Sequence, residues 1–123
     1  MNSFFHSRLL AFKYAIEGWW YVLRTQRNAW IHAFFSIFAI ILSGWLHLGP
    51  RDWALLIFAI ALVWIAEFLN TAIEAILDLV HPKHHDLVKV GKDVSAAAVL
   101  IASGASVLIG LLVLGPPLWA KIF

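Results

Sequence analysis

The chain has 123 residues, 63% of them hydrophobic and 13% charged, with Lys and Arg exceeding Asp and Glu for a formal charge of +2. Soluble domains run nearer ~45–50% apolar and ~25% charged, so this composition specifies a single integral membrane domain over 1–123 and no second, soluble one. Cysteine is absent, which excludes a disulfide framework, thiol chemistry and a cysteine-based zinc site, and the modest positive charge serves membrane orientation, with no nucleic acid expected as a partner.

The expected fold class is all-α, with three transmembrane helices behind an N-terminal amphipathic helix. Residues 4–26 carry Phe5, Leu9, Phe12, Ile16, Trp19, Trp20 and Leu23 on one face and His6, Lys13, Glu17 and Arg24 on another. That pattern fits a helix lying in the membrane surface, and packing against the bundle is compatible with it. The first span is expected over 29–47, where His32 is the one ionisable residue of the Ala29–Leu46 run and reads as an interface residue. A turn at Gly49-Pro50 follows, with Asp52 as the expected cap of the next helix.

The second span is expected over 53–80, where Pro82 should end it. At 1.5 Å per residue it is about 42 Å long, more than the ~30 Å hydrocarbon core, so one end should emerge into the headgroups. A basic connection, 81–91, leads to the third span over 92–115, with Pro116 and Pro117 expected to stop it. Gly104 and Gly110 are candidates for close helix contact, and Ser95, Ser103 and Ser106 for packing or intrahelical bonds. Arg8, Lys13, Arg24 and Arg27 precede the first span, and Lys83, Lys89 and Lys92 surround the second connection. The positive-inside rule therefore puts the N-terminus and the second connection in the cytoplasm.

Four polar residues stand out inside the second span: Glu67, Asn70, Glu74 and Asp78. At about 100° per residue the last three fall roughly −60°, −20° and +20° from Glu67, so all share one face. Ionisable groups at such depth are costly and point to function. Glu74 and Asp78 can offer oxygens to magnesium, Lys92 a point charge to phosphate, and Glu67, the deepest, is a candidate general base for a hydroxyl proton, with Asn70 placed to orient it or the transferring group. A cation or proton pathway, or a structural role, would also account for intramembrane carboxylates. His81, His84 and His85 share no fixed helical spacing and read as solvated loop residues before ligands.

The segment Glu67-Phe68-Leu69-Asn70-Thr71-Ala72-Ile73-Glu74, completed by Asp78, resembles the signature of the small prokaryotic diacylglycerol kinase and undecaprenol kinase family. Gly91-Lys92-Asp93-Val94-Ser95 and the run through Leu100 are similar to the family's second block. Phe12-Lys13-Tyr14-Ala15 and Arg27–His32 resemble its N-terminal part. The resemblance implies a homotrimeric kinase of a prokaryotic inner membrane, with its active site on the cytoplasmic side. Such an enzyme would transfer the γ-phosphate of ATP, with Mg2+, to a lipid hydroxyl. By the same resemblance Glu67 is the base and Glu74 a metal ligand, while Asn70 and Asp78 are polar active-site positions. Tyr14, Lys83, His84, His85, Lys92 and Asp93 fall at the nucleotide, and Arg8 between lipid and nucleotide. Gln26 stands where many members carry a second metal-binding glutamate, so it is the weaker, uncharged ligand of metal and nucleotide.

The loop His81-Pro82-Lys83-His84-His85-Asp86 and the sequence Asp78-Leu79-Val80 lean toward the undecaprenol-kinase branch. The rival expectation is a small proton- or cation-coupled transporter using Glu67 and Glu74. It needs an aqueous path outward, whereas Ala54–Ala66 reads apolar throughout.

Overall fold

The computed structural model describes residues 2–123 and is helical apart from short connections. Four helices follow in order: α1 (Asn2–Thr25), α2 (Arg27–Trp45), α3 (Pro50–Val80) and α4 (Asp86–Ile122). The last three are long and apolar enough to cross a membrane. At 1.5 Å per residue α3 and α4 reach about 46 and 55 Å, so both outrun a ~30 Å hydrocarbon core.

Gln26 alone separates α1 from α2, in an extended conformation that breaks the helical ladder. Between α2 and α3 the chain reverses through His47, whose φ of 54° is the one left-handed non-glycine backbone among the described residues. Gly49 caps α3 and Pro50 takes its first turn, where a missing N–H costs nothing; Asp52 sits in that turn but is not the cap. The second reversal is shorter than the expected 81–91. His85 caps α4 by accepting from the Leu87 amide through Nδ1 at 3.1 Å. Leu87–Gly91 are already helical, supported by the Lys89–Asp93 pair one turn apart.

Pro116 and Pro117 do not stop α4, which continues to Ile122. Their rings remove two amide donors but hold φ near the helical value. Beyond them Lys121 donates to the Trp45 carbonyl at 3.0 Å, with its ammonium 4.3 Å from the Trp45 ring centroid. That contact ties the far end of α4 to the far end of α2.

α3 packs most extensively against α4. Gly91 lies in that seam, where an added Cβ would stand 2.9 Å from Leu77 Cδ1, so that side chain would have to turn aside. Gly104 and Gly110, expected at close contacts, face open space within the chain. Ser106 Oγ donates to the Ala59 carbonyl at 2.8 Å, a bond between helices instead of within one. A small core gathers where α1 meets the bundle, from Val22, Ala29 and Trp64 with Leu23, Ala33, Ile60 and Phe68 against it. Trp19 joins it, its ring 4.5 Å from Phe68 and 4.8 Å from Trp64, so α1 is anchored on α3 through its C-terminal half. Phe4, Phe5, Leu9, Phe12 and Ile16 remain exposed.

Candidate active site

The polar stripe of α3 does not form one open face. Its members turn to two different seams. Glu67 points at α2 and is 2% exposed, its Oε2 lying 3.1 Å from His32 Nε2. Asn70 points at α4, where Ser95 Oγ donates to its Oδ1 at 2.7 Å, and its own Nδ2 lies 3.4 Å from Glu74 Oε1. Glu74 faces the α1–α2 break, its Oε2 3.5 Å from Gln26 Nε2. Asp78 receives the Lys92 ammonium at 2.6 Å. The structure thus joins Gln26, Glu74 and Asn70 in one group, and sets Glu67 about two helical turns, roughly 10 Å, below Glu74.

The polar residues of α3 are also what the neighbouring helices pair with. His32, read from sequence as an interface residue, is the partner of Glu67. Ser95, read as packing or intrahelical bonding, also reaches across to Asn70. One signal was available for His32: an ionisable group inside an apolar span needs a partner, and Glu67 is the deepest candidate. Asn70 orients Glu74 and not Glu67.

Beyond Asp78 the chain reversal forms a polar groove of about 220 Å³ lined by Asp78, His81, Lys83, His84, His85, Lys89, Lys92 and Asp93. Four expected nucleotide residues on or next to the loop (Lys83, His84, His85 and Lys92) and Asp93 therefore share one surface. Two ion pairs cross this surface. Lys92 is engaged with Asp78, and Asp93 with Lys89 at 2.6 Å, a lysine not singled out for the site. The Asp93 hydrogen bond, and then its charge, raise the Lys89 ammonium above its ordinary pKa, so it is cationic throughout the neutral range. Both pairs are exposed, so a polyphosphate can exchange with the carboxylates at small cost.

Arg8 and Tyr14 are not brought to this cluster. The Arg8 guanidinium stacks 5.0 Å from the Phe4 ring centroid, and Tyr14 is exposed on α1.

Among the described residues no three His, Cys, Asp or Glu side chains gather to hold a metal by themselves. Magnesium does not require such a cage, because it takes one or two carboxylates and completes its shell with water and substrate phosphate. Glu74 is suited to that role. Its two contacts, at 3.4 and 3.5 Å, are long, and both come from amides that can turn an oxygen in place of a nitrogen. The donors are hard oxygens of the kind magnesium selects.

The family model described as prokaryotic diacylglycerol kinase matches residues 13–114. A diacylglycerol kinase of Synechocystis is 43% identical over 89% of this chain, an alignment that spans 63% of the longer relative. An undecaprenol kinase of Bacillus subtilis is 37% identical over 96% of this chain and 93% of its own length. A diacylglycerol kinase of Escherichia coli is 38% identical over 67% of this chain. The matched region contains Gln26, His32, the whole acidic stripe of α3 and the groove at the start of α4; the chain belongs to the prokaryotic diacylglycerol kinase family.

Proposed function

We propose that this chain, a lipid kinase by family, transfers the γ-phosphoryl group of ATP to the hydroxyl of a membrane lipid. The observation that carries the reading is the depth order of its polar groups. Lys83, Lys89 and Lys92 line the groove at the end of α3, Glu74 follows with Gln26 and Asn70, and Glu67 lies deepest, between apolar helices. A water-soluble polyphosphate and a lipid-dissolved alcohol can meet along such an axis. A transporter using the same carboxylates finds no support in the relatives.

Phosphoryl transfer asks for positioning and for charge neutralisation along the triphosphate. Lys92, released from Asp78, and the neighbouring lysines supply positive charge at the groove. Glu74, with the amide oxygens of Gln26 and Asn70, would hold magnesium, which when bound neutralises the polyphosphate. Glu67 accepts the hydroxyl proton as the lipid oxygen attacks phosphorus. Its surroundings keep water from competing as acceptor: Trp64 and Phe68 flank it on α3, and Trp19 of α1 packs on both.

The site faces the cytoplasm of a prokaryotic inner membrane. Arg27 at the head of α2 and the lysines around the second reversal fall at one end of the bundle, the end where Gln26 meets Glu74. The working unit is a homotrimer, as family resemblance implies, with α1 lying in the membrane surface, where its exposed Phe4, Phe5, Leu9 and Phe12 can sink into lipid. Arg8 and Tyr14 join the site through α1 of that assembly. The near full-length match to the undecaprenol kinase favours a polyprenol as acceptor.

Purified protein incubated with γ-labelled ATP and either undecaprenol or diacylglycerol in detergent should move label into the organic phase, more with undecaprenol. No label in either lipid would overturn the kinase reading, and label confined to diacylglycerol would overturn the choice of acceptor.

A further inference from the structure

His32 is the feature that the kinase reading leaves unused. It lies within the apolar run of α2, and its side chain is 13% exposed against the 2% of Glu67. A carboxylate so placed needs a donor, and the Nε2 of His32, 3.1 Å from Oε2, is the one the structure provides. No fully buried side-chain nitrogen or oxygen among the described residues lacks a partner. Oε1 of Glu67 makes no hydrogen bond among them, and the residue as a whole is 2% exposed. One oxygen is pinned and the other is free for a proton.

The turn of α2 that carries His32 is itself braced. Ser36 Oγ donates to the His32 carbonyl at 2.6 Å and accepts from the Trp64 indole at 3.1 Å. The Trp64 ring stands edge-on to the imidazole, with centroids 6.1 Å apart and planes at 72°. Trp64 and Glu67 lie one turn apart on α3, so this brace closes a loop: α3 holds Trp64, Trp64 holds Ser36, Ser36 and His32 share one turn of α2, and His32 returns to Glu67. Nothing in that loop depends on nucleotide.

We propose that His32 is a positioning residue for phosphoryl transfer: its Nε2–H holds one oxygen of the Glu67 carboxylate so that the other is aimed at the lipid hydroxyl. The inference rests on Glu67 being the base. A carboxylate only accepts, so the hydrogen of this contact sits on His32 Nε2. During transfer the hydroxyl proton goes to Oε1, the lipid oxygen bonds to phosphorus, and ADP leaves with the electron pair of the broken bond; His32 keeps its hydrogen throughout.

The test compares His32→Gln with His32→Asn. A glutamine amide nitrogen reaches the place of Nε2, whereas the shorter asparagine does not. Turnover is normalised to protein that still binds nucleotide, so poor folding does not enter the comparison. Loss of the aim should lower kcat on the order of 100-fold in His32→Asn, a misplacement effect, with KM for ATP unchanged and most activity retained in His32→Gln. A merely structural polar role would treat the two amides alike. Equal turnover in the two variants, whether high or low, overturns the proposal, as does a loss confined to the KM for ATP. Glu67→Gln is measured alongside. If it retains wild-type kcat, the base itself is misassigned; if it is inactive while the two His32 variants match, only the positioning role falls.

Discussion

The contact between Gln26 and Glu74 is where this chain can be read most finely. In place of a second carboxylate it carries an amide whose nitrogen stands 3.5 Å from Glu74. Gln26→Glu would bring two carboxylates to that distance, a repulsion that a divalent cation relieves. The variant should reach half-maximal turnover at a lower magnesium concentration, read from a magnesium titration at fixed ATP; an unchanged curve would remove Gln26 from the metal site. Lys92 poses the complementary case. It is held by Asp78 at 2.6 Å, in an exposed pair that leaves the ammonium able to turn toward phosphate. Lys92→Gln should raise KM for ATP by about tenfold, as expected for losing one hydrogen bond from a charged donor, with a smaller change in KM for lipid.

At the scale of elements, the seams between helices are tied by single polar contacts. Ser106 to the Ala59 carbonyl and Ser95 to Asn70 join α4 to α3, and His32 to Glu67 joins α2 to α3. In a bilayer such bonds are worth only ~0.6 kcal/mol on average, because the separated helices also find partners. Ser106→Ala lies away from the polar site and should lower stability by about that amount in reversible unfolding from mixed micelles, with kcat unaffected. Much of this level was legible beforehand. Charge-free runs located the spans, and helical spacing put Glu67, Asn70, Glu74 and Asp78 on α3. Spacing along one helix could not reveal which neighbour each residue would face, so Ser95 and His32 were given local roles. By sequence Gly91 falls in the basic connection, whereas the cap at His85 starts α4 well before it, in spite of the cost of a glycine inside a helix. The proline pair was expected to end α4, yet the Lys121 contact with Trp45 shows that the helix has something to reach on the far side.

For the whole molecule, the three long apolar helices were legible in the sequence, whereas the packing of α1 on α3 through Trp19 was not, because an amphipathic face suits both a membrane surface and a neighbouring helix. Arg8 and Tyr14 are exposed on α1, and among the described residues no hydrogen bond or ion pair joins either of them to the acidic cluster. Sidedness is directly measurable because the chain has no cysteine of its own. A single cysteine replacing Lys83 should resist a membrane-impermeant maleimide in intact cells and react once the membrane is opened, whereas one replacing Arg51 should react in both. The reverse pattern would put the groove outside and contradict a site fed by cytoplasmic ATP.

Every step assigned to this chain converges on Glu67 taking the proton of the attacking hydroxyl. The most direct measurement is single-turnover transfer from ATP to lipid by Glu67→Gln, with nucleotide affinity measured on the same preparation. The account predicts ATP bound as in the wild type and transfer reduced by about 10²–10⁴-fold, the contribution usual for a general base. Wild-type transfer in that variant would contradict it.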